Sequence, residues 1–371
     1  MDFKLSKEHE MARKMFREFA ENELEPLAVE IDEEERFPWE SVEKFARYGM
    51  MGIPIPKKYG GAGGDNLMYC IAIEEISKKC ATSSVIVAAH TSLCMGPIMA
   101  FGTEEQKMKW IPDLASGRKI GAFGLTEPGA GTDASGQQTM AVKDGDEYVL
   151  NGTKCFITNG DTASTYVVFA VTDKTKGLKG ISLFVVEKGT PGFSTGLHEK
   201  KMGIRGSSTT DLIFEDCRIP AGNLIGKEGQ GWKICMHTLN GARAGVAAQA
   251  LGIGEGALDL AMKYVQERMQ FKKKLSKFQR TQFEIADMHT KLEAGKLLVY
   301  SAACKEDAYN KGDKTQNYAM DSAMAKLFCG EAASDVTRRC VQLFGGYGYI
   351  REYQVERMMR DAKITEIYEG T

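Results

Sequence analysis

The spacing of apolar residues changes twice along this 371-residue chain, and that change most constrains the fold. Residues 6 to about 118 have helical spacing, residues from about 120 to 226 form β-branched and aromatic runs, and helical spacing returns from about 228. The sequence therefore predicts an α+β multidomain fold. It has an N-terminal helical domain at 1–119, a middle antiparallel β domain at 120–227 and a C-terminal four-helix-type bundle at 228–371.

Local signals place several helices. Ser6, with Glu10 nearby, opens the first helix, and Thr103 with Gln106 resembles a capping box that opens a later one. Residues 82–101 are apolar all round, which predicts a central helix. Further helices are predicted at 65–79, 243–270, 282–310 and 316–344.

The middle third carries strand and turn signals. Asp144-Gly145 and Asn151-Gly152 are dipeptides typical of hairpin turns. Strands are predicted over residues 148–150, 166–171, 181–186 and 212–214, which are β-branched and aromatic runs.

Charge and composition exclude several functions. Lys and Arg total 48 and Asp and Glu total 50, so nothing predicts nucleic acid or an anionic membrane as a partner. The acidic residues 32–35 are predicted to form a solvated face. The start of the chain lacks an apolar signal region, and we expect no apolar run long enough to span a bilayer. A cytoplasmic protein without membrane insertion is predicted.

The nine cysteines include no C-x-x-C pair, and the five histidines show no metal-binding spacing. We therefore expect no metal site, and we expect the cysteines to be small buried residues in a reducing compartment.

One motif is rejected. Residues 252–257, Gly-Ile-Gly-Glu-Gly-Ala, match the dinucleotide fingerprint G-x-G-x-x-A, but they follow a helical pattern rather than a strand. The small residues instead predict close packing between helices.

Four stretches are candidates for binding, each with a structural alternative. Residues 125–133 form either a turn that offers hydroxyls and backbone N–H groups to a phosphate or ring edge, or a boundary turn. Residues 156–160 place an aromatic side chain near a threonine. They either bind a planar heterocycle or form an ordinary strand and turn. Residues 342–348 end a helix, ordinarily as a C-cap. Residues 272–274 are three lysines that are either solvated or meet phosphate.

Glu369 is the candidate for acid–base chemistry. Tyr368 can shield it from water, and Gly370 lets another group approach the backbone. A carboxylate screened in this way resists ionisation and is a stronger base once formed. The alternative is a solvated glutamate near the chain end.

These motifs follow one another in a fixed order over the whole chain. They are T-E-P-G-A-G-T-D from Thr126, I-T-N-G from Ile157, Arg268 with Gln270-Phe271 and Phe278-Gln279, Q-L-F-G-G-Y-G from Gln342, and R-D-A-K-I-T-E-I-Y-E-G-T from Arg360. In this order they resemble the acyl-CoA dehydrogenase flavoprotein family. Residues 121–139 are most similar to its bacterial short-chain (butyryl-CoA) members, including the electron-bifurcating ones.

The resemblance implies FAD as cofactor, an acyl-CoA or enoyl-CoA substrate, a homotetramer, and electron-transfer flavoprotein as redox partner. Glu369 matches the catalytic base, which takes the α-proton of the thioester while the β-hydride passes to the flavin. The thioester oxygen is bound by the backbone N–H of that glutamate and a ribityl hydroxyl. Other members place their base just before Arg243, where this chain has Ala242, so the resemblance assigns the role to Glu369 alone.

The remaining roles are implied position by position. Thr126 and Thr158 match residues that bind the isoalloxazine ring, and Phe156 stands where the family usually has Trp. The implied cofactor-binding residues are Phe123, Leu125, Thr126, Gly131, Thr132, Phe156, Thr158, Arg268, Phe271, Gln342, Gly346 and Thr371, of which Arg268, Phe271, Gln342 and Gly346 reach the FAD of a neighbouring subunit. The implied substrate-binding residues are Thr132, Asn240, Arg243, Tyr368 and Gly370.

The chain departs from the family pattern at three places. Asn240 replaces a common Asp beside the pantetheine arm, and Lys272 and Lys274 replace the usual Gly and Pro. The family continues past the position of Thr371 in a short helix that helps to cover FAD, so we expect a product that ends there to hold FAD weakly.

The predicted function is FAD-dependent α,β-dehydrogenation of a short-chain acyl-CoA to a trans-2-enoyl-CoA, or the reverse reduction. The alternatives are a reductase for a bulkier, aryl-acrylyl type of CoA thioester, a non-catalytic acyl-CoA or flavin-binding scaffold, and an acyl-CoA oxidase. The short chain disfavours the oxidase.

Overall fold

The computed structural model describes residues 4–370, and its elements follow the predicted order of helices, strands and helices. Seven α-helices form the first part. They are α1 (Lys7–Phe19), α2 (Ala28–Glu34), α3 (Trp39–Arg47), α4 (Asn66–Ser77), α5 (Ala81–Ala88), α6 (Gly96–Phe101) and α7 (Glu104–Ala115).

Side-chain caps fix the starts of three of these helices. Ser6 accepts a hydrogen bond from the backbone N–H of His9, and Asp65 accepts one from Met68 at 2.8 Å. Thr103 and Gln106 form the complete capping box. The predicted helix starts are confirmed at these positions because the signal lies within one turn of sequence.

Helices α5 and α6 are joined by a π-helical stretch, Ala89–Met95, into one run from Ala81 to Phe101. This run is long and apolar enough to cross a membrane, so the expectation that none has that length is wrong. About two thirds of its apolar window is buried in the fold, which is the environment of a core helix. The predicted central position is confirmed.

The middle part of the chain forms one eight-stranded sheet. Its strands are β1 (Gly121–Gly124), β2 (Met140–Asp144), β3 (Glu147–Thr158), β4 (Thr165–Val171), β5 (Ile181–Glu187), β6 (Phe193–Thr195), β7 (Thr209–Pro220) and β8 (Leu224–Ile225). Their order in the sheet is β6-β7-β3-β2-β4-β5-β8, with β1 paired to β4. Most pairs are antiparallel, but β1–β4 and β2–β4 are parallel, so the sheet is mixed rather than purely antiparallel.

Strand β4 is buried on both faces. Tyr166 and Val168 belong to a core shared with the first helices and the bundle, whereas Val167 and Phe169 belong to a core shared with α6, α7 and the start of the bundle. The sheet therefore lies between two apolar layers, which fixes its position relative to both helical parts.

The two predicted hairpin turns differ in outcome. Asp144 pairs with Glu147 across a two-residue turn, as predicted. The turn prediction at Asn151-Gly152 is wrong, because both residues lie inside β3 at a register shift against β7. The Asn151 amide is held there by Asp216, and Gly152 has φ 144°. A glycine at a bulge and a glycine at a turn give the same local signal.

The last part is a helical bundle around one long helix. Its elements are α8 (Gly231–Glu267), a two-stranded hairpin of β9 (Met269–Gln270) and β10 (Lys273–Lys274), α9 (Gln279–Asn310), α10 (Tyr318–Phe344), α11 (Val355–Ala362) and α12 (Ile364–Ile367). Helix α8 starts twelve residues before its predicted start at 243, because packing overrides the weak helix propensity of Asn240 and Gly241.

The glycines at 252–257 do pack helices closely. A Cβ on Gly252 would stand 2.2 Å from the carbonyl oxygen of Glu74, and one on Gly256 would stand 2.2 Å from that of Lys78. The backbone of α8 therefore touches the C-terminal half of α4, which leaves no room for a dinucleotide there.

Two expectations about exposure are corrected. Asp32 is buried and pairs with Arg360 on α11, so only Glu33, Glu34 and Glu35 of the acidic run are solvated. Eight cysteines are buried as predicted, but Cys304 is exposed. Neither the burial of Asp32 nor the exposure of Cys304 has a local signal, because both depend on contacts remote in sequence.

Candidate active site

Glu369 follows the short helix α12 and lies beside α8 and α10. Its backbone has φ 56°, in the left-handed region that non-glycine residues rarely adopt. Its carboxylate oxygen Oε2 is buried and has no hydrogen-bond partner among residues 4–370. A strained backbone that holds an unpartnered carboxylate is typical of a reactive group rather than of a structural one.

Two cations flank Glu369, but both hydrogen-bond to backbone carbonyls. Arg243 Nε donates to the carbonyl oxygen of Glu369 itself at 3.0 Å. Lys326 Nζ donates to the carbonyl oxygen of Glu366 at 3.0 Å and also to that of Gly370. The cations therefore fix the backbone of this turn and leave the carboxylate free.

Burial raises the pKa of Glu369 to about 7, and the charges of Arg243 and Lys326 offset only part of that rise. The adjacent Tyr368 is partly buried, and its hydroxyl donates to Oε1 of Gln249 on α8. The shielding of Glu369 by Tyr368 stays a prediction. A carboxylate with a pKa near neutrality is suited to general acid–base chemistry.

The neighbouring residues complete the turn. Asn240 Oδ1 accepts a hydrogen bond from Arg243 Nη1 at 3.1 Å, which orients the guanidinium. Gly370 has φ 104°, and a Cβ there would be 3.3 Å from Arg243 Nη2. Ala242, at the alternative position for a base, is buried and carries no proton acceptor. The structure thus brings Asn240, Arg243 and Gly370 together around Glu369.

A second group of predicted residues lies on the β domain. The backbone N–H of Cys155 donates to the carbonyl oxygen of Thr126 at 2.9 Å, which places Thr126 beside Phe156 on β3. Phe156 has φ 57° and is 63% exposed. The hydroxyls of Thr126 and Thr158 have no hydrogen-bond partner within the described part of the chain. An open aromatic ring and two available hydroxyls therefore share one wall.

Lys154 holds this wall in place from behind. Its side chain is fully buried, and Nζ donates to the carbonyl oxygen of Leu125 at 3.1 Å and to carboxylate oxygen Oε1 of Glu127 at 2.7 Å. The Glu127 carboxylate in turn accepts from the backbone N–H groups of Gln138 and Thr139. One buried ion pair thus closes the loop of residues 127–139 at both ends.

The other predicted members of the wall are distributed as follows. Phe123 packs edge-on against Phe169, and Leu125 is buried. Gly131 and Thr132 are exposed on the loop that Glu127 closes. Thr371 lies outside the described residues.

A third group lies at the far end of the bundle. Arg268, Gln342 and Gly346 line a cleft of about 480 Å³ with the aromatic side chains of Tyr264 and Tyr347. Arg268 stacks over the Tyr347 ring, 5.1 Å from its centroid. The guanidinium has no carboxylate partner within residues 4–370, so this cation is available to an anionic group.

Phe271 stands at the tip of the β9–β10 hairpin and is 87% exposed. It and Lys272 form the turn with φ of 52° and 64°, although such turns favour Asn and Gly. The three lysines at 272–274 are exposed, and Lys273 lies over the Phe278 ring. The hairpin holds a strained, outward-facing aromatic side chain.

Within one chain this cleft is remote from Glu369. Arg243 and the last residue of α8, Glu267, are 24 residues apart in one continuous helix, which is about 36 Å. Arg268 follows directly. Arg268, Gln342 and Gly346 therefore share a cleft that lies far from Glu369 within one chain.

Sequence reasoning missed three residues of the site. Lys326, Gln249 and Lys154 hydrogen-bond to Gly370, Tyr368 and Glu127 through contacts that span 27 to 119 residues. A lone lysine in a helix or strand carries no local signal of such a role. The strained φ values of Phe156, Phe271 and Glu369 are equally invisible in the sequence.

The fold places a helical part, a β part and a helical bundle in that order, and the site contains a buried carboxylate oxygen, Oε2 of Glu369, without a hydrogen-bond partner in the described chain. Family models of acyl-CoA dehydrogenases match nearly the whole chain: the N-terminal domain at residues 6–118, the middle domain at 122–217 and the C-terminal domain at 229–371. The chain belongs to the acyl-CoA dehydrogenase family, which confirms the resemblance drawn from its motifs.

Relatives of known name are similar over their full length. The short-chain specific acyl-CoA dehydrogenase of Clostridium acetobutylicum is 59% identical, covering 100% of this chain and 96% of that one. The acryloyl-CoA reductase (NADH) of Anaerotignum propionicum is 54% identical, covering 100% and 93%. A solved structure described as the electron transferring flavoprotein of Acidaminococcus fermentans has a TM-score of 0.97 at 53% identity, covering 100% and 96%.

Proposed function

We propose that this chain catalyses FAD-dependent α,β-dehydrogenation of a short-chain acyl-CoA to its trans-2-enoyl-CoA, or the reverse reduction, with electron-transfer flavoprotein as redox partner. The observation that carries the proposal is Glu369, whose Oε2 is buried without a hydrogen-bond partner in the described chain and whose pKa is raised by burial to about 7. The α-proton of a thioester is weakly acidic, and a solvated carboxylate is too weak a base to take it.

In the oxidative direction the ionised Glu369 carboxylate takes the α-proton. The electron pair of that C–H bond forms the Cα–Cβ double bond as the β-hydrogen leaves with its two electrons. FAD, when bound, supplies the acceptor for that hydride. Arg243 and Lys326 hold the turn that carries Glu369, so that its backbone N–H stays directed at the thioester oxygen and stabilises the enolate-like charge.

The residues of the β domain fit FAD. The hydroxyls of Thr126 and Thr158 have no partner within the described chain, and the exposed Phe156 ring stands on the same wall. These groups suit the polar edge and the face of a flavin ring. We propose that Phe123, Leu125, Gly131 and Thr132 complete this binding surface, and that the ion pair of Lys154 with Glu127 keeps its loop closed.

The cleft lined by Arg268, Gln342 and Gly346 fits the part of FAD beyond the flavin ring, for a cofactor bound by a neighbouring subunit. The Arg268 guanidinium, which has no carboxylate partner among residues 4–370, suits a phosphate group, and the aromatic walls of the cleft suit a planar base. Because α8 separates the cleft from Glu369 by about 36 Å, we propose a homotetramer in which Arg268, Phe271, Gln342 and Gly346 serve the FAD of a partner copy.

Substrate contacts and cellular setting complete the proposal. Asn240, Arg243, Tyr368 and Gly370 surround the base, and Thr132 lies on the loop of the β domain; we assign these five to substrate binding. The proposed domains are 1–119, 120–227 and 228–371, in a cytoplasmic bacterial protein that binds neither nucleic acid nor a membrane. Net charge −2 is consistent with this setting.

A second candidate is the reduction of an enoyl-CoA as the main reaction. It is favoured by the likeness to an acryloyl-CoA reductase. The same residues serve both directions, since a protonated Glu369 returns the proton to the α-carbon. A bulkier, aryl-acrylyl substrate and a non-catalytic scaffold are tested by the same experiment.

The test is anaerobic bleaching of the flavin. The protein is reconstituted with FAD and mixed with butyryl-CoA, octanoyl-CoA or an aryl-propionyl-CoA, and absorbance is followed with and without electron-transfer flavoprotein. We expect fast bleaching by butyryl-CoA, and a yellow Glu369→Gln variant that binds acyl-CoA without bleaching. Equal bleaching by that variant, or a protein that does not take up FAD, would contradict the proposal.

A further inference from the structure

Tyr69, on α4, is a buried aromatic residue that the proposed chemistry does not use. Its side chain lies against the backbone of α8 at Gly245: a Cβ there would be 2.9 Å from the Tyr69 hydroxyl oxygen and 3.1 Å from Cε1. Tyr69 is only 5% exposed. Gly245 is therefore the position where α8 makes room for the phenol ring.

This ring borders the surroundings of Glu369. Gly245 and Gln249 are one turn apart on α8, and Gln249 binds the hydroxyl of Tyr368. Ala242 lies three residues before Gly245 on the same side of the helix. Burial raises the pKa of Tyr69 and that of Tyr368, and in each case the charge of Glu369 adds to the rise. Tyr69, Tyr368 and Glu369 thus face one buried region.

The hydroxyl of Tyr69 is buried and forms no hydrogen bond of normal geometry with any of residues 4–370. Ser92 lies beside it in the π-helical stretch, but Ser92 Oγ already donates to the carbonyl oxygen of Ala88 at 2.7 Å. One turn back along α8, Oε1 of Glu306 is 2.5 Å from the Cβ position of Gly241. The wall behind Tyr69 is therefore polar.

We propose that Tyr69 is a specificity-determining residue that closes the end of the acyl site and restricts it to short chains. The proposal rests on the proposed function and names the residue that sets chain length. The phenol ring fills the space that further methylene groups of the acyl chain need. The groups around its hydroxyl are polar, so they do not form an apolar surface that a longer chain could contact. Since each buried methylene contributes a nearly constant stabilisation, opening this space favours longer chains.

The test is the chain-length profile of Tyr69→Ala against Tyr69→Phe. Flavin bleaching rates are measured with butyryl-, hexanoyl- and octanoyl-CoA, after FAD content and melting temperature show that each variant is folded. We expect the ratio of octanoyl to butyryl rates to rise roughly 10- to 100-fold in Tyr69→Ala. Tyr69→Phe keeps the ring and should keep the wild-type ratio. Tyr69→Leu, which preserves more of the packing, should give an intermediate ratio and serves if the alanine variant does not fold.

A folded Tyr69→Ala or Tyr69→Leu protein with the wild-type ratio would overturn the proposal. Calorimetric binding of butyryl-CoA and octanoyl-CoA to the same variants in the Glu369→Gln background measures the site without turnover. If none of the acyl-CoA thioesters bleaches the flavin of the wild type, the proposed function fails. The binding data then still decide whether Tyr69 limits chain length. A gain in octanoyl-CoA affinity in the Tyr69 variants supports this role of Tyr69, and no gain refutes it.

Discussion

Glu74, which is fully buried, and Glu369, whose carboxylate oxygen Oε2 is buried, occupy very different surroundings. Burial raises the pKa of both carboxyls. Around Glu74, on α4, the Tyr300 hydroxyl donates to Oε2 and the charged ends of Arg13 and Lys78 lie 3.7 Å away. Around Glu369 the nearby cations are instead hydrogen-bonded to backbone carbonyls.

The Glu74 region is a network that joins the N-terminal helices to the bundle. Lys78 contacts Glu255 at 2.8 Å and Glu75 at 3.2 Å, and Lys296 contacts Glu255 at 2.7 Å. Glu75 lies on α4, Lys78 directly follows that helix, Glu255 lies on α8 and Lys296 on α9. The comparison teaches that a buried carboxylate with a raised pKa is not by itself a functional site. Both carboxylate oxygens of Glu74 face a cation within 4.0 Å, whereas the carboxylate of Glu369 forms no ion pair within residues 4–370.

The largest expected difference is in the rate of flavin reduction. Glu369→Gln should lower the rate of bleaching by butyryl-CoA by about 10²- to 10⁴-fold or more, because the general base is lost. Glu74→Gln should leave the rate within about threefold, since that carboxylate reaches no substrate. Stopped-flow absorbance measures both. A folded, FAD-loaded Glu74→Gln variant as slow as Glu369→Gln would erase the distinction.

The second effect is on stability. Lys78→Met should lower the free energy of unfolding by roughly 3–5 kcal/mol, because buried carboxylates lose their compensating charge. Lys14→Met, which breaks the exposed pair with Glu18 at 3.8 Å, is the control and should change stability by under about 1 kcal/mol. Denaturant titration compares them. Equal effects would show that the Glu74 network is not structural.

The third effect is the pH dependence of stability at Glu369. Folding raises this pKa from 4.5 to about 7, so ionisation of Glu369 destabilises the folded state. The penalty is absent below about pH 4.5, grows as pH rises, and reaches roughly 3 kcal/mol above pH 7. Glu369→Gln should therefore be more stable than wild type at pH 8 and nearly equal at pH 5. Thermal melts at both pH values test this, and a gain that is the same at pH 5 would contradict it.

The smallest effect is on the pH profile of catalysis. In the free enzyme Glu369 is ionised above about pH 7 and protonated below it. The kcat/KM for dehydrogenation should thus fall roughly tenfold between pH 8 and pH 6, whereas reduction of the enoyl-CoA should lose rate in the opposite direction. A flat profile in both directions would place the controlling ionisation elsewhere.

Much of the fold followed from local sequence. The caps at Ser6 and Thr103 and the turn at Asp144-Gly145 were correct because their partners lie within a few residues. Asn151-Gly152 was wrong because its conformation is set by β7, which is more than sixty residues away. Asp32 was wrong for the same kind of reason, since Arg360 lies 328 residues from it.

The candidate site divides in the same way. Glu369 and Tyr368 could be named as candidates from the sequence because shielding by an adjacent residue is a local property. The partners that fix the geometry were not found: Lys326, Gln249 and Lys154 are ordinary residues in their own helices and strand, and only the folded chain brings them to the site. The parallel pairing of β1 with β4 was missed because alternation of residues does not encode strand direction.

Helix α8 fixes two quantities at once between Arg243 and Glu267, a distance and an angle. Removing one residue from this stretch would shorten it by about 1.5 Å and rotate its far end by about 100° relative to Arg243. The cleft next to Arg268 would then face a different direction relative to Arg243, although every residue that lines it would be unchanged. A substitution at an exposed position of α8 leaves both quantities unchanged, whereas an insertion or a deletion changes both at once.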